Sequence, residues 1–315
     1  MKQVLVTGAG GFVGSHLCEA LVRAGWQVQA LIHTPSGPDR LLQLPAEIQA
    51  ELELIPGNVR DAAQLRRIVQ AQSLIVHLVN LQVPDTLMYS HAFIETHVTG
   101  TLNLLHAALS RDCRVLHASV AEVYGAPLHS PVDEKHPLQG RSPYLASKIA
   151  ADMLAESFVR SFRLNLTLVR LFPLCGRGQH AGAPVPWLIR QLRDPATELL
   201  KLPALNTSLD LSPVSDAIGA LMAVAACATP LAGEVLNIGS GQAIRLEALA
   251  RQFMSLLGRE LPVREEMGYA VPFRLFDNLI CDTAKIERLC GWKPSGQLSA
   301  ALSDSLFEPA CPEAA

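Results

Sequence analysis

The sequence lacks long hydrophobic runs and any marked excess of one charge. No segment reaches the ~20 consecutive apolar residues of a membrane-spanning helix. The N-terminal run Val4-Leu5-Val6 ends before Gly8 and is too short for the core of a signal peptide. The formal net charge of -3 at pH 7 gives no support for nucleic acid or an anionic membrane as a partner. We therefore expect a cytoplasmic protein that acts on a small molecule.

Paired cysteines and metal-ligand clusters are also missing. The 7 cysteines form no C-x-x-C pair, and their odd number argues against a complete disulfide framework, so we expect reduced thiols. The 10 histidines contain no trio with metal-ligand spacing, and no metal is predicted. What remains is a chain of 315 residues, 49% of them hydrophobic, which is enough for one large or two modest domains.

Apolar runs of strand length alternate with helical segments in the first half of the chain. The runs at 4–7, 28–32, 52–55, 74–78, 115–117 and 166–170 are typical of buried strands, and helical spacing recurs from 14 and over 61–71, 92–111 and 144–163. This alternation predicts a parallel sheet with right-handed crossovers. After Phe172, helical segments at 184–193, 213–228, 245–257 and 283–290 surround one late strand at 234–238.

We predict an α/β fold, namely a Rossmann-type, doubly wound parallel sheet with a smaller C-terminal α/β substrate-binding cap. The sheet domain is assigned to residues 1–172, with later segments returning to it, and the cap mainly to 173–307. Residues 308–315 are predicted to form a flexible tail.

Three glycines, Gly8, Gly11 and Gly14, lie between the first predicted strand and the first predicted helix. Gly8 permits a tight turn, Gly11 allows the backbone to approach a pyrophosphate closely, and Gly14 lets the helix pack on the strand. The helix N-terminus then offers N–H groups to the phosphates. The pattern predicts a dinucleotide site, with Phe12 and Val13 in the same turn.

The second predicted strand ends without the Asp or Glu that binds a free adenosine 2′-hydroxyl. His33 stands at this end, where it could lie near a 2′-phosphate or cap the loop. NAD and NADP both stay open as cofactors, with NAD slightly favoured. Asn58 could bond the adenine, and its alternative role is that of a turn residue.

Tyr144 and Lys148 are four residues apart in a predicted helix, so their side chains share one face. A tyrosine phenol titrates near pH ~10, and a nearby ammonium favours the phenolate. Beside a dinucleotide site, this pair predicts hydride transfer assisted by proton transfer.

Further motifs run from Val4 to about Pro294, and with them the chain resembles the extended short-chain dehydrogenases/reductases. The resemblance is to the nucleotide-sugar epimerase/dehydratase branch, and most of all to 4,6-dehydratases that act on nucleotide-linked N-acetylglucosamine. The motifs are Gly57-Asn58-Val59-Arg60-Asp61, Glu122-Val123-Tyr124-Gly125, Asp133-Glu134-Lys135-His136-Pro137-Leu138, Tyr144-x-x-x-Lys148, Asn237-Ile238-Gly239-Ser240-Gly241 and Leu289-Cys290-Gly291-Trp292-Lys293-Pro294.

The resemblance implies roles for individual residues. Tyr144 would exchange a proton with the reacting oxygen, Lys148 would hold the nicotinamide ribose, and Glu122 would remove the proton at C5 of the sugar. Further cofactor contacts are implied for Val59, Leu78, Val79, Asn80, His97, Leu171 and Phe172. Substrate contacts are implied for Gln82, Val120, Ala121, Pro173, Asp210 and Arg274.

Several positions depart from the family pattern. Val120 replaces the Ser or Thr that bonds the reacting oxygen, and Ala121 replaces a group that protonates the leaving hydroxyl. Ser119, a further catalytic candidate, is one residue early and would point to the opposite face of its strand unless a bulge re-aims it. His97 replaces a helical Asn.

The diphosphate region also departs from the pattern, because Pro173 replaces an Asn and Leu209 replaces an Arg. Lost arginine forks remove bidentate contacts with phosphate. Three functions stay open: a divergent nucleotide-sugar epimerase or 4,6-dehydratase, a reductase or dehydrogenase for a substrate without a nucleotide, and a cofactor-binding protein without activity. The helical segments 92–109 and 144–162 are more apolar than one buried stripe requires, which predicts a homodimer.

Overall fold

The computed structural model describes residues 2–33, 40–70, 74–81, 88–266 and 276–306. The substrate contacts predicted for Gln82 and Arg274 and the tail at 308–315 lie outside these ranges.

The strands are β1 (Gln3–Thr7), β2 (Gln27–Ile32), β3 (Leu52–Pro56), β4 (Leu74–His77), β5 (Arg114–Val120), β6 (Leu166–Leu171), β7 (Leu174–Cys175), β8 (Leu200–Leu202), β9 (Ser208–Asp210), β10 (Ser212–Pro213), β11 (Val235–Ile238), β12 (Ala243–Arg245) and β13 (Val263–Glu265). The α-helices are α1 (Phe12–Arg23), α2 (Ala46–Ala50), α3 (Ala62–Ile68), α4 (Ser90–Phe93), α5 (Gly100–Leu109), α6 (Pro143–Phe162), α7 (Pro184–Arg193), α8 (Val214–Ala226), α9 (Leu246–Leu257), α10 (Ala284–Cys290) and α11 (Leu298–Leu306).

Seven of these strands form one parallel sheet in the order β11-β6-β5-β4-β1-β2-β3. The chain runs outward from β1 through β2 and β3, and then continues from β4 on the other side of β1. The strand order therefore reverses between β1 and β4. The carboxyl ends of these two strands flank the crevice in which such sheets bind ligands.

Helices cover both faces of the sheet, because its strands send apolar side chains into two cores. Val4 and Val6 face the core shared with α1 and α8, whereas Leu5 faces the core shared with α3, α5 and α6. Burial on both faces explains why the strands read as continuous apolar runs in the sequence. The predicted doubly wound parallel sheet is confirmed, and the late strand predicted at 234–238 is β11, which pairs with β6.

A third core belongs to the smaller C-terminal cap that the sequence predicts. It is built from α7, α9 and α11 together with the short strand pairs β8–β13 and β9–β12. Trp187, Leu188, Phe253 and Leu302 are buried at its centre. In the part of the chain that the structure describes, no helix is long and apolar enough to cross a membrane.

Helix α6, which carries Tyr144 and Lys148, begins and ends at clear signals. Ser142 caps it, its Oγ accepting the N–H of Leu145 at 3.2 Å, and Pro143 occupies the first helical position. Arg163 ends it with a φ of 57°. The helix predicted over 144–163 is confirmed.

The helix predicted over 92–111 is interrupted. Between α4 and α5, Ile94–Thr99 form a π-helical turn, in which each hydrogen bond spans five residues instead of four. Such a turn shifts the following side chains around the helix axis. It carries His97 to a buried position beside α6.

Candidate active site

The turn after β1 is closed by residues without side chains. Gly8 has a φ of +72°, and a Cβ there would lie 2.9 Å from the carbonyl carbon and oxygen of Leu78. A Cβ on Gly14 would lie 2.1 Å from the carbonyl oxygen of Gly8. These close approaches bring β1, α1 and the end of β4 together.

Helix α1 turns its N-terminus toward this crevice. Gly11 is its N-cap and gives no side-chain hydrogen bond to the first N–H groups of the helix. Such N–H groups, together with the helix dipole, bind phosphate groups. The turn formed by Gly8, Gly11 and Gly14 therefore fits the pyrophosphate of a dinucleotide, with Phe12 and Val13 in the first turn of the helix.

One end of the crevice is a pocket of about 280 Å³, which includes His33 and Asn58. Asn58 Oδ1 accepts the N–H of Arg60 at 3.0 Å, which is the turn role that the sequence left open. Val59 is buried behind it, and its carbonyl oxygen accepts from Asn103 Nδ2 at 3.2 Å. No acidic side chain lines this pocket among the described residues, and His33 is exposed.

The opposite side of the crevice is formed by Leu78, Val79 and Asn80, which follow β4. Leu78 continues the pairing with β1, because its N–H donates to the carbonyl oxygen of Thr7 at 3.0 Å. The Tyr144 hydroxyl reaches from α6 and donates to Asn80 Oδ1 at 3.1 Å. The structure thus joins the predicted acid–base residue to a predicted cofactor residue.

Lys148 lies one turn further along α6 and is almost fully buried. Its ammonium donates to the carbonyl oxygen of Ala118 at 3.3 Å. Burial lowers the pKa of Lys148 to about 8, while Asp152 and Glu122 oppose this shift. Lys148 therefore remains mainly protonated at neutral pH but loses its charge at a lower pH than an exposed lysine would.

Glu122 is half-buried in a 3-10 turn that follows β5. Burial raises its pKa, while a backbone hydrogen bond and, to a smaller extent, the Lys148 ammonium counteract that rise. The carboxylate lines a cavity of about 20 Å³ together with Pro173, Leu209, Asp210, Phe276 and Leu279. A carboxylate with a raised pKa is a stronger base once ionised, which suits proton removal from carbon.

Ser119, Val120 and Ala121 are placed by the regular end of β5. Ser119 pairs with Arg170 and Val120 with Leu171 in unbroken register, so no bulge re-aims Ser119. Ser119 is 1% exposed, and its placement gives no support to the predicted catalytic role. Val120 is half-buried at the strand end. Ala121 is fully buried in an apolar cluster with Phe172, which leaves it no surface for a substrate contact.

Both carboxylate oxygens of Asp210 accept hydrogen bonds from other residues of the protein. Its Oδ1 accepts from the N–H and hydroxyl of Ser240, and its Oδ2 accepts from the N–H groups of Gly241 and Cys281, all within 2.9 Å. Burial raises its pKa and these four hydrogen bonds oppose the rise. The carboxylate therefore clamps the loop after β11 to the cap, and this explains its position without a substrate.

A row of buried polar residues lies behind Lys148 and was not predicted from the sequence, because its histidines were considered only as metal ligands. His77 Nδ1 lies 2.6 Å from Thr7 Oγ1, its Nε2 lies 3.0 Å from Thr101 Oγ1, and its ring stacks on His117 at 5.3 Å. Burial lowers the pKa of both histidines. Strand pairing brings these residues together, because Thr7 lies opposite His77 and His77 lies opposite His117 in the sheet. Only a correct prediction of strand order and register could have found the row.

The row continues to a buried ion pair. His117 Nε2 lies 3.6 Å from Asp152 Oδ1, and Arg170 Nε donates to Asp152 Oδ2 at 3.2 Å. Burial alone would raise the pKa of Asp152, but His117 and Arg170 hold it below its usual range. Arg170 also donates to the Tyr124 hydroxyl at 3.1 Å. Among the described residues, no group of three or more His, Cys, Asp or Glu side chains could hold a metal ion.

Comparison with known proteins agrees with this geometry. Residues 4–239 match the NAD dependent epimerase/dehydratase family, and the chain belongs to that family. It is 28% identical to UDP-N-acetyl-alpha-D-glucosaminuronate decarboxylase from Bacillus cytotoxicus, over 97% of each chain. It is also 28% identical to a dTDP-glucose 4,6-dehydratase from Streptomyces griseus, over 95% of this chain and 92% of the relative.

Solved structures show the same likeness. The dTDP-glucose 4,6-dehydratase DesIV from Streptomyces venezuelae, solved with NAD bound, superposes with a TM-score of 0.85 at 28% identity, over 96% of this chain and 95% of that one. TunA, an NDP-hexosamine 5,6-dehydratase of tunicamycin biosynthesis, gives a TM-score of 0.80 at 26% identity over 97% of both chains. The chain is therefore an enzyme of the extended short-chain dehydrogenase/reductase type, as its motifs predict.

Proposed function

We propose that the protein oxidises a nucleotide-linked sugar at C4 and then carries the oxidised sugar through epimerisation or 4,6-dehydration. The observation that carries this proposal is the placement of Tyr144, which reaches from α6 to Asn80 at the crevice edge, with Lys148 buried one turn behind it. The names of the relatives support the substrate class, since they act on dTDP- and UDP-linked sugars.

NAD is the proposed cofactor, and it would supply the hydride acceptor. Gly8, Gly11 and Gly14 would hold its pyrophosphate at the N-terminus of α1. The pocket containing His33 and Asn58 would take the adenosine. NAD is preferred over NADP because the related structure DesIV was solved with NAD.

Tyr144 would remove the proton from the C4 hydroxyl, and the positive charge of Lys148 would favour its phenolate. In a 4,6-dehydration, Glu122 would then remove the proton at C5, next to the newly formed carbonyl, and the C6 hydroxyl would leave as water with that proton. The raised pKa of Glu122 makes it a better base for removal of the C5 proton. Return of the hydride to C6 and of a proton to C5 would complete the dehydration. In an epimerisation, the hydride would instead return to the other face of C4. The cap, formed mainly by residues within 173–307, would hold the rest of the substrate against the sheet domain.

Two residues beside Glu122, Pro173 and Leu209, favour a second candidate function. They stand where the resemblance implies an Asn and an Arg that contact a diphosphate, and without these contacts a substrate that lacks a diphosphate is favoured. The protein would then be a reductase or dehydrogenase in secondary metabolism.

A substrate panel separates the two functions. The protein is incubated with NAD and UDP-, dTDP- or GDP-linked sugars, including N-acetylglucosamine derivatives, and products are identified by NMR and mass spectrometry. We expect a 4-epimer or a 4-keto-6-deoxy product from at least one donor. Binding of NAD without binding or conversion of any nucleotide sugar would contradict the first function and favour the second.

A homodimer is proposed on the basis of apolar residues that the monomer leaves exposed. Ile94 is 50% exposed beside α4, and Met153 and Phe162 on α6 are 63% and 55% exposed. Phe93 and Leu145, by contrast, are used inside the monomer. Light scattering across a concentration series should give twice the chain mass of 34.0 kDa, and a constant mass near 34.0 kDa would contradict pairing.

A further inference from the structure

His97 connects two separate parts of the site through its two ring nitrogens. The residue is 2% exposed in the π-helical turn between α4 and α5. Its Nε2 accepts the N–H of Leu81 at 2.9 Å, and its Nδ1 lies 2.8 Å from Ser147 Oγ. Because a backbone N–H can only donate, Nε2 carries the lone pair and Nδ1 carries the proton.

The hydrogen bonds beyond His97 follow a consistent direction. Nδ1–H donates to Ser147 Oγ, and the Ser147 hydroxyl donates to the carbonyl oxygen of Tyr144 at 2.7 Å. At the other end, Asn80 Oδ1 accepts from the Tyr144 hydroxyl at 3.1 Å, and Asn80 is the neighbour of Leu81. Tyr144 is therefore connected to the Asn80–Leu81 segment in two ways. Its hydroxyl bonds the Asn80 side chain, and its carbonyl oxygen is linked through Ser147 and His97 to the Leu81 N–H.

Aromatic packing fixes the orientation of the His97 ring. Phe93 stacks on it at 5.7 Å with an interplanar angle of 15°. The Tyr144 ring meets both rings edge-on, 5.7 Å from His97 and 5.5 Å from Phe93. Burial, together with the nearby Lys148 charge, lowers the pKa of His97 to about 3, so the neutral ring persists at neutral pH.

We propose that His97 is a positioning residue, which holds the Asn80–Leu81 segment against the first turn of α6 and thereby fixes the Tyr144 hydroxyl at the crevice. Its effect on turnover rests on the proposed function. The structural link from Leu81 to Ser147 does not rest on it. The π-helical turn is the device that carries the ring to this position, as such turns do at functional sites.

Three substitutions separate the two halves of the link. His97→Gln retains an acceptor near the position of Nε2, His97→Asn retains a donor near the position of Nδ1, and His97→Phe removes both but keeps the aromatic packing. His106, whose ring packs on Phe158, provides the control substitution His106→Phe. Thermal melting of each variant shows whether it is folded before it is compared.

Amide hydrogen exchange at Leu81, followed by NMR, tests the link without a substrate. We expect protection close to wild type in His97→Gln and His106→Phe. In His97→Asn and His97→Phe we expect exchange to be faster by about 10-fold or more, as for loss of a buried hydrogen bond. Equal protection in all the variants would overturn the link.

Turnover tests the consequence for Tyr144. In His97→Phe we expect kcat to fall by about 10²-fold while KM for the sugar stays close to wild type, because misplacement of a reacting group costs rate and not ground-state binding. His97→Gln should recover most of the rate. Loss of Leu81 protection without loss of kcat would overturn the positioning role. If the wild type converts no sugar in the panel, the proposed function fails, and the exchange pattern at Leu81 alone still decides whether His97 holds the two segments together.

Discussion

Acid should destabilise the protein through His97, which the fold holds in its neutral form. Burial and the Lys148 charge lower the pKa of His97 from 6.5 to about 3. Below pH 6.5 the unfolded chain binds a proton at this residue and the folded chain does not. Stability from this group is therefore complete above pH 6.5 and is lost as pH falls toward 3.

The expected size follows from the shift. Each pH unit below 6.5 removes about 1.4 kcal/mol of unfolding free energy for one such histidine, so His97 accounts for about 2 kcal/mol between pH 6.5 and pH 5. His77 and His117 add losses of the same sign, because burial also lowers their pKa values. Asp152, whose pKa is likewise lowered, adds a loss only at still lower pH.

Urea unfolding at a series of pH values measures this loss, with His97→Gln as the control that removes one titrating ring. The wild type should lose about 2 kcal/mol more than His97→Gln between pH 7.5 and pH 5, whatever the absolute stability of the variant. Parallel curves for the two proteins would refute the reasoning, as would an NMR titration in which His97 becomes protonated near pH 6.5.

Three further predictions concern the cofactor and the chemistry. Gly11 has a backbone conformation open to any residue (φ -75°, ψ 175°), but the Cβ of Gly11→Asp would lie 3.1 Å from the Gly8 carbonyl oxygen, so thermal melting first establishes that the variant folds. In the folded variant the new charge should abolish NAD binding in calorimetric titration, and unchanged affinity would contradict the assigned site. The kcat of the wild type should fall about tenfold per pH unit above about pH 8, because Lys148 loses its proton there. Lys148→Arg should move this decline to higher pH, since arginine keeps its charge, and a flat profile up to pH 10 would contradict the role of the ammonium. Val120→Thr should raise any dehydratase rate by about 10-fold or more, because it restores a hydrogen-bond donor to the reacting oxygen. The control Val120→Ala should not raise it, and equal rates for wild type and Val120→Thr would show that no hydroxyl is missing at this position.

The sheet could be predicted from the sequence because its strands are buried on both faces and separated by regular helices. A continuous apolar run such as Leu74–His77 predicts a buried strand without further context. The short cap strands could not be predicted in this way, because β8, β9, β12 and β13 have three residues each, which is too few for any periodicity. The π-helical turn at Ile94–Thr99 was also not predicted, since a shift of one residue in apolar spacing is too small to recognise over a helical segment this short.

The site shows a similar division. Tyr144 and Lys148 could be predicted because both lie on one helix, where sequence spacing sets the geometry. The contacts of His77, His117 and Asp152 depend on the register of separate strands and on the face of a distant helix, which spacing along the chain does not give. The tie from His97 to Leu81 has the same origin, because only the fold brings the two segments together.

Tyr144→Phe tests the central claim most directly, namely that Tyr144 is the acid–base group of an NAD-dependent reaction on a sugar. The variant keeps the ring that packs on Phe93 and His97, and it removes the hydroxyl that reaches Asn80. Turnover of the substrate identified by the panel should fall by about 10²–10⁴-fold, while calorimetry should show unchanged NAD affinity. Full turnover by Tyr144→Phe would contradict the account.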